Sequence, residues 1–150
     1  MTQQTTNAQF HIELPDDWED RTVQQFLGPD DSGVQHVLNL VVDPNAQTDD
    51  VEDYARDRID QIVEAMPAAE ILKEEQKTLP NGVEAYEVVY KWVSPNGNVT
   101  FQKLVYMIRD GVAYTFSANF SKKTIKTIGV EVDKIIESFE PGPSGQADDK

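Results

Sequence analysis

The chain has 150 residues, no cysteine, and 27 acidic against 13 basic residues, for a formal net charge of −14. That length suits one domain, which buries about 68–70% of its unfolded surface and so builds a core without metals or disulfides. The missing cysteine excludes disulfides, thiol catalysis and zinc–thiolate sites, and the acidity argues against nucleic acid and anionic lipid, which need clustered Lys and Arg.

Three readings of the acidity stay open: an ordinary soluble acidic protein, a surface adapted to high salt, where repulsion among the charges is screened, or a partner with a basic face. The opening MTQQTTNAQF has no basic n-region and no apolar h-region, so it does not read as a signal peptide. No apolar run approaches the roughly 20 residues that span a bilayer, so membrane insertion is not expected and the chain reads as cytoplasmic.

Residues 1–8 are polar and aperiodic and are expected to be a flexible end; 141–150 are rich in Pro, Gly and Asp and read as a disordered tail. Between them nothing breaks the composition, so a single domain is expected over 9–140. QFHIEL alternates, with Phe10, Ile12 and Leu14 on one side. RTVQQFLG follows an acidic turn, and VQHVLNLVV (34–42) alternates strictly, with His36 in phase with Leu38 and Leu40.

Apolar residues at spacings of three and four predict a helix over 49–66, with Asp49 and Glu52 resembling a capping box. Three turns then mark a meander of four strands: Pro80-Asn81-Gly82, Pro95-Asn96-Gly97-Asn98 and Asp110-Gly111. A last helix is expected over about 122–138, with Ser121 as its N-cap. The order β-β-β-α-β-β-β-β-α predicts an α+β fold, a mostly antiparallel sheet with two helices.

Catalytic chemistry finds little footing. There is no GxSxG elbow, no HExxH, no His-x-His and no glycine-rich phosphate loop. His36 is expected to be a hydrogen-bonded core or boundary residue, and His11 to face solvent. PDDSG (29–33) lacks the alternating ligands of a calcium loop and reads as a polar turn with Gly33 at positive φ. No catalytic residue, metal ligand or cofactor site is therefore expected.

LPDDWEDRT (14–22) crowds Asp16, Asp17, Glu19 and Asp20 around Trp18. Acid–base work would need those carboxylates buried and mutually perturbed, and their polar neighbours argue against burial. The stretch reads as a structural turn, with Pro15 breaking the ladder and Trp18 folding back as a lid over the core edge.

The same residues carry a family likeness. A strand, then L-P-x-x-W-x-D-R-T, then a strand resembles the opening of the DcrB-related family, here Phe10, Leu14, Pro15, Trp18, Asp20, Arg21 and Thr22. The helix containing Tyr54, the Y-x-W strand (Tyr90, Trp92), the Gly111–Tyr114 hairpin and the closing I-I-x-S-F (Ile135, Ile136, Ser138, Phe139) extend it over about 10–139. The resemblance implies a PsbP-like α/β/α sandwich. It also implies kinship with a bacterial lipoprotein linked to phage entry and with Eag chaperones of type VI secretion, which hold apolar helices of effectors in solution. Without a leader or lipobox cysteine, the chain is expected on the cytoplasmic branch.

A chaperone of apolar helices needs an exposed apolar groove. Tyr86, Tyr90 and Trp92 on one strand, with Tyr106 and Ile108 on its neighbour, are the expected partner-binding residues. Apolar side chains occupy both faces of these strands. That fits either two helices covering the sheet or one covered face beside a partly open groove.

Three functions follow in order of preference. The first is a non-enzymatic module that binds a protein with an apolar helical segment, with a homodimer as a further possibility. The second is a carrier of a small apolar ligand or lipid, and the third an uncharacterised enzyme.

Overall fold

The computed structural model describes residues 2–6, 11–18, 23–31, 34–80, 82–93, 95 and 97–140. Strand β1 (Thr2–Thr6) pairs antiparallel with β2 (His11–Pro15) as a separate two-stranded sheet. Six further strands form the main sheet: β3 (Val23–Asp31), β4 (Val34–Asp43), β5 (Glu70–Thr78), β6 (Glu84–Val93), β7 (Val99–Arg109) and β8 (Val112–Phe120). Helix α1 (Val51–Ala65) lies between β4 and β5, and α2 (Ile128–Glu137) follows β8.

The spatial order is β3-β4-β8-β7-β6-β5, and every neighbouring pair is antiparallel. After β4 the chain crosses through α1 to the far edge and returns as a meander, until β8 pairs with β4. The expected meander is present. Its tightest turn is Asp110-Gly111, with φ of 53° and 79°, flanked by the register pair Arg109 and Val112. Two successive positive φ values match the twist of the flanking strands, which is why Asp-Gly serves here.

The sheet is apolar on both faces, and one helix covers each. Leu38, Val105, Met107, Phe116 and Phe120 pack with Ile128, Val132 and Ile136 of α2. Tyr86, Val88, Tyr90, Leu104 and Tyr106 pack with Val51, Tyr54, Ala55 and Ile59 of α1. The expected α+β sandwich is therefore observed. Val63 of α1 is exposed because it lies beyond the edge of the buried arc.

Several expectations are corrected. Residues 2–6, placed in a flexible end, form β1; a polar Thr/Gln segment needs only a backbone partner to make a ladder, and β2 supplies it. The N-cap of α1 is Asp50, not Asp49: its carboxylate accepts from the amides of Glu52 (2.9 Å) and Asp53 (3.3 Å). The last helix begins at Ile128, not near 122, because Ser121 and Thr124 close a separate turn, with Thr124 N donating to Ser121 Oγ at 3.2 Å. Trp18 is no lid: it is 61% exposed, in a turn closed by Trp18 N donating to Pro15 O at 3.1 Å.

Pro29–Asp31 belong to strand β3. Glu19 to Thr22, Ser32, Gly33, the 141–150 tail and the side chains of Phe10, His11, Ile12 and Leu14 lie outside the described residues.

One charged cluster ties α2 to the sheet. Glu87, on the α2 side of β6, is 1% exposed, with Lys103 Nζ 2.8 Å from Oε2 and Lys73 and Lys77 Nζ at 3.1 and 3.3 Å from Oε1. Lys103 also donates to Asp133 of α2. Burial pushes the Glu87 carboxyl up, but the Lys103 hydrogen bond and charge, with Lys77 and Lys73, outweigh it and hold the carboxyl at about 2, below its ordinary 4.5. Burial likewise pushes the Lys103 ammonium down, and its bonds to Asp133 and Glu87 more than reverse that.

Two predictions follow from these contacts. Asp50→Ala is expected to destabilise the fold by about 1 kcal/mol and Asp49→Ala by far less, as read from urea denaturation. Because the Glu87 carboxyl titrates lower when folded, its stabilisation is fully present above about pH 4.5 and is lost as pH falls toward 2. Glu87→Gln is therefore expected to cost about 3 kcal/mol near pH 7 and about half that near pH 3. An equal loss at both pH values rejects the charge account.

Candidate functional site

The residues nominated for partner binding come together, but mostly in the interior. Tyr86, Tyr90 and Tyr106 are buried beneath α1, and Trp92 and Ile108 pack half-buried at the margin of the same cluster. Of the two arrangements left open by the sequence, two covering helices is the one observed. The apolar stripe of α1 already fills the face of β6 and β7 where a partner's helix was expected. Burial pushes the Tyr90 and Tyr106 hydroxyls up, as it does Tyr54, so all three stay protonated in the core.

A polar clasp fixes α1 in that place. Asp43, buried at the end of β4, accepts from Asn45 N at 3.0 Å and from the Tyr54 hydroxyl at 3.4 Å, and Arg58 lies 3.7 Å from it. The Arg58 guanidinium sits over the Tyr54 ring, 4.0 Å from its centroid. A buried carboxylate with this many donors is satisfied where it is.

The open apolar surface lies on the opposite face. A cleft of about 230 Å3 runs between α2 and the β3–β4 end of the sheet. Leu38, Phe120 and Val132 line its interior, and Phe26, Leu27 and Ile135 form its rim. Leu27 is 69% exposed, and Phe26 and Ile135 are about half exposed. Large apolar side chains grouped around a concavity are a sign of contact with something, whereas single exposed ones are ordinary.

Local sequence explains the opening. The register of β3 against β4 shifts between Leu27 and Asp30, which breaks alternation at the edge. Helix α2 is only ten residues long, so it leaves the outer strands bare.

His36 lines the cleft and is buried, as its phase with Leu38 predicts, with Nε2 2.8 Å from Thr124 Oγ1. Thr124 is buried too, and its hydroxyl also meets Ser121 N and Oγ at 3.0 Å. The pair pins the 121–124 turn to β4, with Thr124 only 1% exposed. Among the described residues no group of three or more His, Asp or Glu is placed to hold a metal ion. What the cleft offers is apolar contact, with Glu131, Asn119 and the buried His36 as its polar lining.

The sequence reading passed over Phe26 and Leu27. Their signal was an adjacent apolar pair before Gly28-Pro29, where a buried strand would have kept alternating. Ile135 and Ile136 both belong to the closing I-I-x-S-F, yet Ile135 is 50% exposed and Ile136 only 3%. Ile135→Asp is therefore expected to change stability by less than about 0.5 kcal/mol, and Ile136→Asp to unfold the domain. Circular dichroism with thermal melts checks both.

Comparison with known proteins agrees with this architecture. The chain matches the DcrB family over residues 10–138. A Pseudomonas aeruginosa protein of unknown function, PA94, superposes with a TM-score of 0.74 at 15% identity, covering 95% of this chain and 98% of that one. The solution structure of cyanobacterial PsbP (CyanoP) from Synechocystis gives a TM-score of 0.53 at 14% identity, covering 94% of this chain and 92% of that one. At such identities the two structures speak to the fold, which is PsbP-like. No curated protein matches the sequence. No helix among the described residues is long and apolar enough to cross a membrane. With the match running over residues 10–138 of 150, the protein belongs to the DcrB family.

Proposed function

We propose that this chain is a non-enzymatic binding module that holds an apolar helical segment of a partner protein in the cleft between α2 and β3. The observation that carries the reading is the rim: Phe26, Leu27 and Ile135 stand exposed around an apolar concavity. A segment of chain covers rim and floor together. The cleft volume of about 230 Å3 is below the roughly 300–1,000 Å3 of pockets that enclose drug-sized ligands. It exceeds the roughly 150 Å3 that holds a benzene ring, a size suited to anchoring side chains.

Charge narrows the partner. With a net charge of −14 and Glu131 at the cleft, an apolar segment flanked by Lys or Arg is favoured on encounter. The likeness to Eag chaperones supports the same class of cargo, an apolar helix kept in solution in the cytoplasm. The site lies on the α2 face, away from Tyr86, Tyr90 and Tyr106.

The test is fluorescence anisotropy of a labelled, Leu-rich amphipathic peptide of about 18 residues with Lys at both ends, long enough to form a helix. Binding is expected, weakened at least about tenfold by Leu27→Asp and by Ile135→Asp, since a buried Leu or Ile contributes about 1.5–3 kcal/mol. If the peptide does not bind while decanoate does, the carrier reading replaces this one. Binding insensitive to both substitutions places the site elsewhere and refutes the assignment.

A further inference from the structure

The α1 side of the sheet holds a second surface, which shares Val37, Ala118 and Asn119 with the lining of the α2 cleft. Helix α1 packs on Tyr86, Val88, Tyr90, Leu104 and Tyr106 of β6 and β7, and uncharged hydrogen-bonding side chains stand on the same face of β3, β4, β8 and the Gln102 end of β7. Gln25 on β3, Asn39 on β4, Ser117 on β8 and Gln102 on β7 stand on four successive strands. Gln25 Nε2 donates to Asn39 Oδ1 at 3.1 Å, and Gln102 Nε2 to Ser117 Oγ at 2.8 Å. Asn39 and Ser117 are register partners, so the two bonded pairs join into one row.

A cleft of about 310 Å3 lies over Asn39, Ser117 and Gln102 of this row, and Asn119, Thr100 and Trp92 line it too. None of its described lining residues is charged, in a chain where 27% of residues are.

That composition selects a ligand class by charge complementarity. A charged ligand would find no counter-charge here. An extended peptide is recognised by pairing with a strand edge, whereas this row lies on the face of the sheet. A neutral polyhydroxylated ligand fits each feature. Every hydroxyl both donates and accepts, and a carboxamide offers two donors and a two-lone-pair acceptor, of which each bond within the row uses only one position. The indole supplies an apolar ring face with a polar edge, suited to the C–H face of a sugar ring. The row advances by about 4.8 Å per strand, close to the rise of one hexose unit in an extended glycan.

We propose that this row is a subsite for a neutral glycan, with a sugar ring against Trp92 and hydroxyls bonded to the amides of Asn39 and Gln102. Asn39, Gln102, Ser117 and Trp92 are half-buried, and Asn39 and Gln102 are already hydrogen-bonded to the exposed Gln25 and to Ser117, so little ordering of the two amides is required on binding.

The test uses the full chain carrying Trp18→Phe, which leaves Trp92 as the sole tryptophan, titrated with cellohexaose, maltohexaose and chitohexaose while its fluorescence is followed. At least one hexasaccharide is expected to give a saturable shift, unchanged between about 0.1 and 1 M NaCl because no charges meet. By calorimetry, Asn39→Ala and Gln102→Ala are each expected to weaken binding about three- to tenfold, the share of one hydrogen bond, and Trp92→Ala by more.

Circular dichroism confirms that each variant is folded. If Trp92→Ala fails to fold, the two amide variants, at partly exposed positions, decide the matter. No shift with any of the three sugars overturns the proposal, as does binding that survives every substitution. A response to an uncharged extended peptide but not to the sugars overturns it as well.

Discussion

A six-stranded sheet with apolar side chains on both faces must be covered twice, and the covers available here are narrow. Strands sit about 4.8 Å apart, so the sheet is roughly 24 Å across, whereas a helix with its side chains is about 10–12 Å wide. Helix α1 therefore shields β6 and β7 on one face, and α2 shields the β8 region on the other. Each face keeps an uncovered flank: at the β3–β4 end on the α2 side, and across β4, β8, β7 and Trp92 of β6 on the α1 side. The chemistry of those two flanks differs: apolar on the α2 side, amide and hydroxyl on the α1 side.

The helices are also fastened differently. Apolar contact and the Asp43–Tyr54–Arg58 clasp place α1, and the clasp is local, reaching from the end of β4 to the next element in the chain. For α2 the polar tie is the Glu87 cluster, which joins β5, β6, β7 and α2. Taking a carboxylate to 1% exposure is costly, and three lysines around it make the position tolerable. Its arrangement suits register as much as strength: a slip of one residue in β6 would turn Glu87 toward α1 and leave the lysines facing one another.

Much of the architecture was legible because it follows from periodicity and turn chemistry. Strict alternation fixed β4, two-sided apolar strands flagged β6 and β7, and Asp110-Gly111 marked the hairpin. What was not legible depended on contacts distant in sequence. Tyr86, Tyr90 and Tyr106 look the same on paper whether they face a partner or α1; only the packing of α1 decides. Ser121 has the chemistry of an N-cap but closes a turn with Thr124, which His36, 88 residues away in the chain, holds in place. Ile135 and Ile136 are adjacent and equally apolar, and a rotation of 100° about the helix separates an exposed side chain from a core one. The amide row was invisible because its members come from four strands and form no motif in the linear sequence.

The seam between β4 and β8 bears on how the chain reaches this state. The meander β5–β8 and the hairpin β3–β4 are each built from neighbours in sequence, whereas Leu38 must find Ala118 across α1 and three strands. Loop-closure entropy rises by about 0.6 kcal/mol with each doubling of length, so local pairs repay their closure before the seam does. Until it closes, β4 and β8 both present unpaired edges, the kind of surface on which chains stack into aggregates. Here the strong net negative charge takes on a meaning apart from any ligand. It keeps half-assembled molecules apart for as long as their edges are open.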